Sequence, residues 1–138
     1  MSPESEAAES PPPTILVVDD QASTRHLIIA GLASYRGAKI VEATNGDEAL
    51  RLVDEQRPDV ILCDIQMQPV DGITFLKIIR GYKDERVSRI PVIVITGVAT
   101  REAVGAARLA GASGILVKPI SIPVLIARLD TALRKNPA

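Results

Sequence analysis

Tryptophan is absent from this chain of 138 residues, and Tyr35, Phe75 and Tyr82 are its only aromatic side chains. That scarcity leaves no stacking platform for single-stranded nucleic acid. Cysteine is almost absent too. Cys63 alone excludes an internal disulfide and any cysteine-built zinc cage. It lies in an apolar run and reads as a buried structural thiol. Neither sign of charge is in excess: 16 Lys+Arg face 17 Asp+Glu, a net charge of -1. Nothing in that balance points to nucleic acid or a membrane surface. No apolar run reaches the length of a membrane span. The opening MSPESEAAESPPP has neither the basic start nor the apolar stretch of a signal peptide. The expected compartment is the cytoplasm.

What is present suits one folded domain, with 46% hydrophobic and 24% charged residues. The acidic, proline-rich residues 1–13 read as a disordered tail, since proline and charge oppose core burial. Residues 14–136 are left as the domain. Four short apolar runs rich in β-branched residues follow: Ile15–Val18, Val60–Cys63, Val92–Ile95 and Ile115–Val117. Such runs fit parallel strands buried on both faces. Lys39–Ala43 alternates polar and apolar residues and reads as an edge strand.

Helical spacing fills the intervals. The first helix carries Leu27, Gly31, Leu32 and Tyr35; the second opens at Asn45-Gly46 and carries Ala49, Leu50 and Val53. The third starts after Gly72 with Ile73, Leu76 and Ile79. The fourth runs from about Thr100 to Ala110, with Gly111 as its C-cap. The fifth is capped by Ser121 and aligns Leu125, Leu129 and Leu133. Five strand–helix repeats with right-handed crossovers predict a flavodoxin-like α/β fold: a doubly wound, five-stranded parallel sheet in the order 2-1-3-4-5, with five helices.

The strand runs end in polar residues: Asp19-Asp20, Asp64, Thr96 and Lys118. In this fold ligands bind beyond the carboxyl ends of the strands, where the strand order reverses, here between the first and third strands. Asp20 and Asp64 flank that point. Singly, each residue has a plain structural reading, as a helix cap, a turn former or an exposed lysine. Their joint placement points to one site. Three converging carboxylates repel unless a cation joins them, and Mg²⁺ suits carboxylates with room left for phosphate oxygens. Asp64 is a candidate carboxylate nucleophile, Lys118 a compact countercharge and Thr96 a hydroxyl donor. His26, the lone histidine, reads as an ordinary helix-face residue.

With these segments on the page, the sequence resembles the receiver domains of bacterial two-component response regulators. The matching stretches are ILVVDD (15–20), VEATNGDEAL (41–50), PDVILCDIQM (58–67), DG (71–72), PVIVITG (91–97) and GASGILVKP (111–119). The resemblance implies that Asp64 is the phosphoacceptor. It implies Mg²⁺ held by Asp20 directly, by Asp19 through water, by Asp64 and by the backbone carbonyl of Gln66. It makes Thr96 the switch hydroxyl and Lys118 the phosphoryl-binding lysine, with a cis bond to Pro119. The implied partner is a sensor histidine kinase or histidine phosphotransfer protein docking near the first helix, with Gln21, Ala22 and Arg25 as contacts.

Two departures from the family stand out. Gln68-Pro69 follows Met67 where the family has proline at once, and Ile115 replaces an aromatic, with Ile120 after Lys118-Pro119. Ile115 and Ile120, with Val124, read either as plain surface aliphatics or as an apolar contact face for a dimer or target. That face would be formed by the fourth helix, fifth strand and fifth helix. No DNA-binding helix-turn-helix follows the fifth helix, so output through protein contact is expected, to an unidentified target. The expected function is a single-domain switch rather than an enzyme. The alternative is a degenerate receiver that binds protein without phosphorylation. A haloacid-dehalogenase-type phosphatase needs an acid where Gln66 stands, and no G-x-G-x-x-G follows the first strand.

Overall fold

The computed structural model of the chain describes residues 11–67 and 71–135. Residues 1–10 of the expected tail, and Gln68 and Pro69 of the expected loop departure, lie outside the described residues. The last residue assigned to the tail, Pro13, meets the sheet: its carbonyl accepts the Lys39 N–H at 2.9 Å.

Five parallel strands form one sheet: β1 (Thr14–Val18), β2 (Lys39–Ala43), β3 (Val60–Asp64), β4 (Val92–Thr96) and β5 (Gly114–Val117). Their order is β2-β1-β3-β4-β5, as the apolar runs predicted. Side chains alternate across a strand, so each run supplies two cores. Leu16, Val18, Ile61, Cys63, Val92 and Val94 face one side, with Phe75, Leu76 and Ile79 above them. Ile15, Val17, Val60, Leu62, Ile93 and Ile95 face the other, against Ile28, Leu125 and Leu129.

Five helices cover the two faces: α1 (Ala22–Gly31), α2 (Gly46–Gln56), α3 (Gly72–Arg80), α4 (Arg101–Ala110) and α5 (Ile122–Lys135). Side-chain caps set four of the starts: Asn45 accepts from Glu48 N–H, Asp71 from Thr74 N–H, Thr100 from Ala103 N–H, and Ser121 from Val124 N–H. Gly111 ends α4 at φ +107, the left-handed conformation that glycine adopts without strain. Among the described residues, no helix is long and apolar enough to cross a membrane.

Three details differ from the sequence reading. A sixth, one-turn helix, Glu85–Ser88, follows α3, capped by Asp84; four residues are too few to display a helical period. In α1 the inward residue is Ile28, while Leu27 is 48% exposed. Leu32 and Tyr35 are buried as expected, Tyr35 reaching the core from the turn after α1, so the difference lies at the start of the stripe. Finally, β5 is not buried on both faces: as the sheet's other edge it leaves Val117 exposed.

Arg80, at the end of α3, ties the far ends of three segments together. Its guanidinium donates to the carbonyls of Gly111 (3.0 and 2.8 Å), Ser88 (3.0 Å) and Ile90 (2.7 Å). Every one of these acceptors is a neutral carbonyl. Charge-assisted hydrogen bonds contribute about 1.5–3 kcal/mol each, and they are not additive when water can replace them. Arg80→Met keeps the apolar stem and removes the fork, so a stability loss of about 2–3 kcal/mol, read as a lower urea midpoint, is expected. An unchanged midpoint would refute this account of how the loops before β4 and β5 are held.

Candidate functional site

Parallel packing brings the carboxyl ends of β1, β3, β4 and β5 to one rim. Asp19 and Asp20 leave the end of β1, and Asp64 and Thr96 are the last residues of β3 and β4. The Lys118 N–H donates to the Thr96 carbonyl at 2.8 Å, placing the lysine beside β4 as the chain leaves β5. The Lys118–Pro119 peptide is cis, as the resemblance implied. Among the described residues Asp19, Asp64 and Thr96 are the buried polar ones, and Asp20 is exposed at the mouth.

One carboxylate oxygen from each of Asp19, Asp20 and Asp64 lies within 4.8 Å of the others. Lys118 answers two of these charges: its Nζ donates to Asp64 Oδ2 (3.1 Å) and Asp19 Oδ2 (3.2 Å), and also to Gln21 Oε1 (3.2 Å). The other oxygens are held by the backbone. Asp19 Oδ1 accepts the Gln21 N–H at 2.8 Å and Asp64 Oδ1 the Gln66 N–H at 3.0 Å. Among the described residues nothing donates to the Asp20 carboxylate or to the Gln66 carbonyl. The hard oxygen donors that remain open therefore suit a small divalent cation such as Mg²⁺.

The electrostatics follow from burial and pairing. Burial raises the Asp19 carboxyl above its ordinary value, helped by the nearby Asp64 charge; the Gln21 N–H and Lys118 pull the other way without prevailing. For Lys118, burial opposes the charged form, but the hydrogen bonds and charges of Asp64 and Asp19 outweigh it and raise its pKa. The Asp19 shift has a stability consequence. A carboxyl whose folded pKa is raised binds protons more readily folded than unfolded, so its contribution to stability falls as pH rises from 3.8 through the raised value. In EDTA, Asp19→Asn is thus expected to be more stable than wild type at neutral pH, and the gap is expected to narrow as pH falls toward 4. Urea titrations at several pH values check this; a gap that widens on acidification would contradict it.

Thr96 is turned toward its own loop. Its hydroxyl accepts the Val98 N–H at 3.0 Å and donates to the Val98 carbonyl at 3.2 Å. Cys63, beside Asp64, is buried, and burial pushes its thiol pKa up, which matches the expected inert thiol. His26 lies on the exposed face of α1.

The structure brings Asp19, Asp20, Asp64 and Lys118 together, with Thr96 at the end of the neighbouring strand. It does not bring Ile115 and Ile120 together. Both are half-buried, and they pack on opposite sides of the sheet, Ile115 against the core under α3 and Ile120 against the core under α1 and α5. Val117 and Val124 are the exposed aliphatics of β5 and α5.

Three roles were missed in sequence. Gln21 accepts a hydrogen bond from Lys118. Arg25 donates to the Asp19 carbonyl at 2.7 Å while pairing with Glu42 at 2.9 Å, which anchors the acidic turn. Gly72 lies against the backbone of Asp64 and Ile65. Its place in the Asp71-Gly72 pair was the one available signal.

Comparison with known proteins agrees with this geometry. The sequence model described as "Response regulator receiver domain" matches residues 15–130. Transcriptional regulatory protein PrrA of Mycobacterium tuberculosis is 34% identical over 124 residues, covering 90% of this chain and 51% of that protein. PdtaR, a transcriptional regulatory protein of the same species, is 34% identical over 134 residues, covering 96% of this chain and 62% of its own length. The chain thus spans between half and two thirds of these relatives. Among solved structures, chemotaxis protein CheY4 of Vibrio cholerae superposes with a TM-score of 0.81 at 29% identity, covering 89% of this chain and 100% of that one. The receiver domain of a Francisella response regulator gives 0.79 at 31% identity, covering 89% and 98%.

Proposed function

The chain belongs to the response regulator receiver domain family of two-component signalling, and from that premise we propose that it is a phosphorylation switch whose phosphoacceptor is Asp64. The observation that carries the reading is the hydrogen bond of Lys118 Nζ to Asp64 Oδ2, at the centre of a carboxylate cluster that a cation would complete. Asp64 attacks the phosphorus of a phosphohistidine on a sensor kinase or phosphotransfer protein. The P–N bond breaks, the imidazole departs and an acyl phosphate forms on Asp64. Little covalent chemistry is asked of the protein, so its contribution is positioning and charge.

Asp19, Asp20, Asp64 and the Gln66 carbonyl would hold Mg²⁺. When bound, the ion supplies neutralisation of the charge that builds on the phosphoryl oxygens. Lys118 keeps its proton, turns from Asp64 to the incoming phosphoryl group and offsets its negative charge. Thr96 exchanges its Val98 partners for a phosphoryl oxygen, which moves the loop after β4 and gives the switch its output. Arg25 keeps the Asp19 turn in place throughout. The downstream target is a protein, and the switch works in the cytoplasm with its kinase.

The test is a beryllium fluoride titration of the wild-type chain, with and without Mg²⁺, followed by the amide signals of Asp64, Thr96 and Lys118. Saturable binding that requires Mg²⁺ is the expected result. No binding in either condition, together with no phosphoryl group detected by mass after acetyl phosphate treatment, would replace this reading with a phosphorylation-independent binding module.

A further inference from the structure

We propose that the groove between β5 and α5, at the amino ends of β4 and β5, binds a small phosphate-type oxyanion independently of Asp64. The groove is lined by Arg89, Ser113, Arg128 and Thr131 over an apolar floor that includes Ile93 and Ala132. No carboxylate lines it. Among the described residues Arg128 has no ion-pair or hydrogen-bond partner, and Arg89 reaches only Glu85, at 3.8 Å.

Ser113 lines the same groove as the two arginines and offers it a hydroxyl. Its Oγ accepts the Val92 N–H at 3.1 Å and an Arg80 Nη2–H at 3.4 Å. Its hydroxyl proton has no acceptor among the described residues. Behind it stands the Arg80 guanidinium, whose own acceptors are carbonyl oxygens and the Ser113 hydroxyl. Two guanidinium groups, those of Arg89 and Arg128, thus line the groove with Ser113 and no carboxylate lines it, in a protein whose overall charge is -1. Guanidinium forks match tetrahedral oxyanions through paired N–H donors, which a lysine cannot imitate. The apolar floor lowers local screening on that side and strengthens the attraction.

The location separates this groove from the switch site. Ile93 lies near the start of β4, and Thr96 at its end. An anion held at one end of a strand does not touch ligands at the other. Occupancy without Mg²⁺ is therefore expected.

The experiment is an amide NMR titration of the full chain with inorganic phosphate in EDTA, at constant ionic strength, with acetate as the carboxylate control and a phosphomonoester as a second arm. Saturable shifts are expected at Ser113, Gly114 and Arg128, with phosphate bound more tightly than acetate. Tighter binding of the phosphomonoester than of phosphate would identify an esterified ligand, and equal binding the free anion. Loss of one charged fork is expected to weaken binding about tenfold in Arg128→Gln, and further in the Arg89→Gln/Arg128→Gln pair, with Arg128→Lys falling between. Both arginines are exposed, so the variants are expected to keep the wild-type spectrum elsewhere. Non-saturating shifts, shifts confined to Asp19 and Asp64, or equal affinity in the double variant would overturn the proposal.

Discussion

Asp64→Asn is expected to lower phosphoryl incorporation from acetyl phosphate at least a hundredfold, about 2.7 kcal/mol of transition-state stabilisation. An amide oxygen is a poor nucleophile, and the variant has no anion to form an acyl phosphate. The fold is expected to survive. The asparagine oxygen can still accept the Gln66 N–H that Asp64 Oδ1 accepts at 3.0 Å. Lys118 keeps Asp19 and Gln21 as partners, and a crowded carboxylate cluster loses one charge. The check is intact-mass spectrometry with and without Mg²⁺, paired with a urea melt of each protein. Incorporation persisting in a folded Asp64→Asn protein would move the phosphoacceptor elsewhere.

Gly72→Ala is expected to be the costliest small substitution in the molecule, although it adds one methyl. An added Cβ would collide with the Asp64 carbonyl oxygen and lie 2.8 Å from Ile65 Cα and 2.9 Å from the Asp64 carbonyl carbon. All three atoms are backbone, at the end of a central strand, so none can yield by changing rotamer. Relief requires the amino end of α3 to move off β3. That motion breaks the Gly72 N–H bond to the Ile65 carbonyl, 2.9 Å long, and loosens the packing of buried Phe75 and Leu76. Overpacking of this kind costs roughly 1–3 kcal/mol before the lost packing is added, so about 3 kcal/mol is expected. Because Asp64 is itself displaced, beryllium fluoride affinity is expected to fall with stability. Gly31→Ala is the control: its Cβ meets only the Ile122 side chain, with Cγ1 at 2.7 Å, and a rotamer change can relieve that. Equal losses in the two variants would show that backbone contact at Gly72 is not the cause.

The sheet was readable because its signal is local. Val60–Cys63 is a continuous apolar run and Val92–Ile95 a continuous β-branched one, and such runs fit strands covered on both faces. Capping was readable for the same reason, since Asn45 and Ser121 act on N–H groups three residues away. Local signals failed where burial depended on a neighbour. Leu27 and Ile28 are equally apolar, and the packing of α1 decides which one turns inward. Ile115 and Ile120 are alike in sequence, yet Ile115, in β5, packs against one core and Ile120, in the connection to α5, against the other.

By itself, then, the sequence determined the strand order, the helix caps and the polar residues at the strand ends. Period, cap chemistry and right-handed crossovers leave little freedom in those features. Only the tertiary structure decided which groups meet. Lys118 finds Asp19 across 99 residues of chain and Asp64 across 54, and Arg80 finds the Gly111 carbonyl across 31. The meeting of Arg89, Ser113 and Arg128 in one groove is of the same kind. No periodicity encodes such contacts, because their separations in sequence are set by helices and loops whose lengths carry no record of what they bring together.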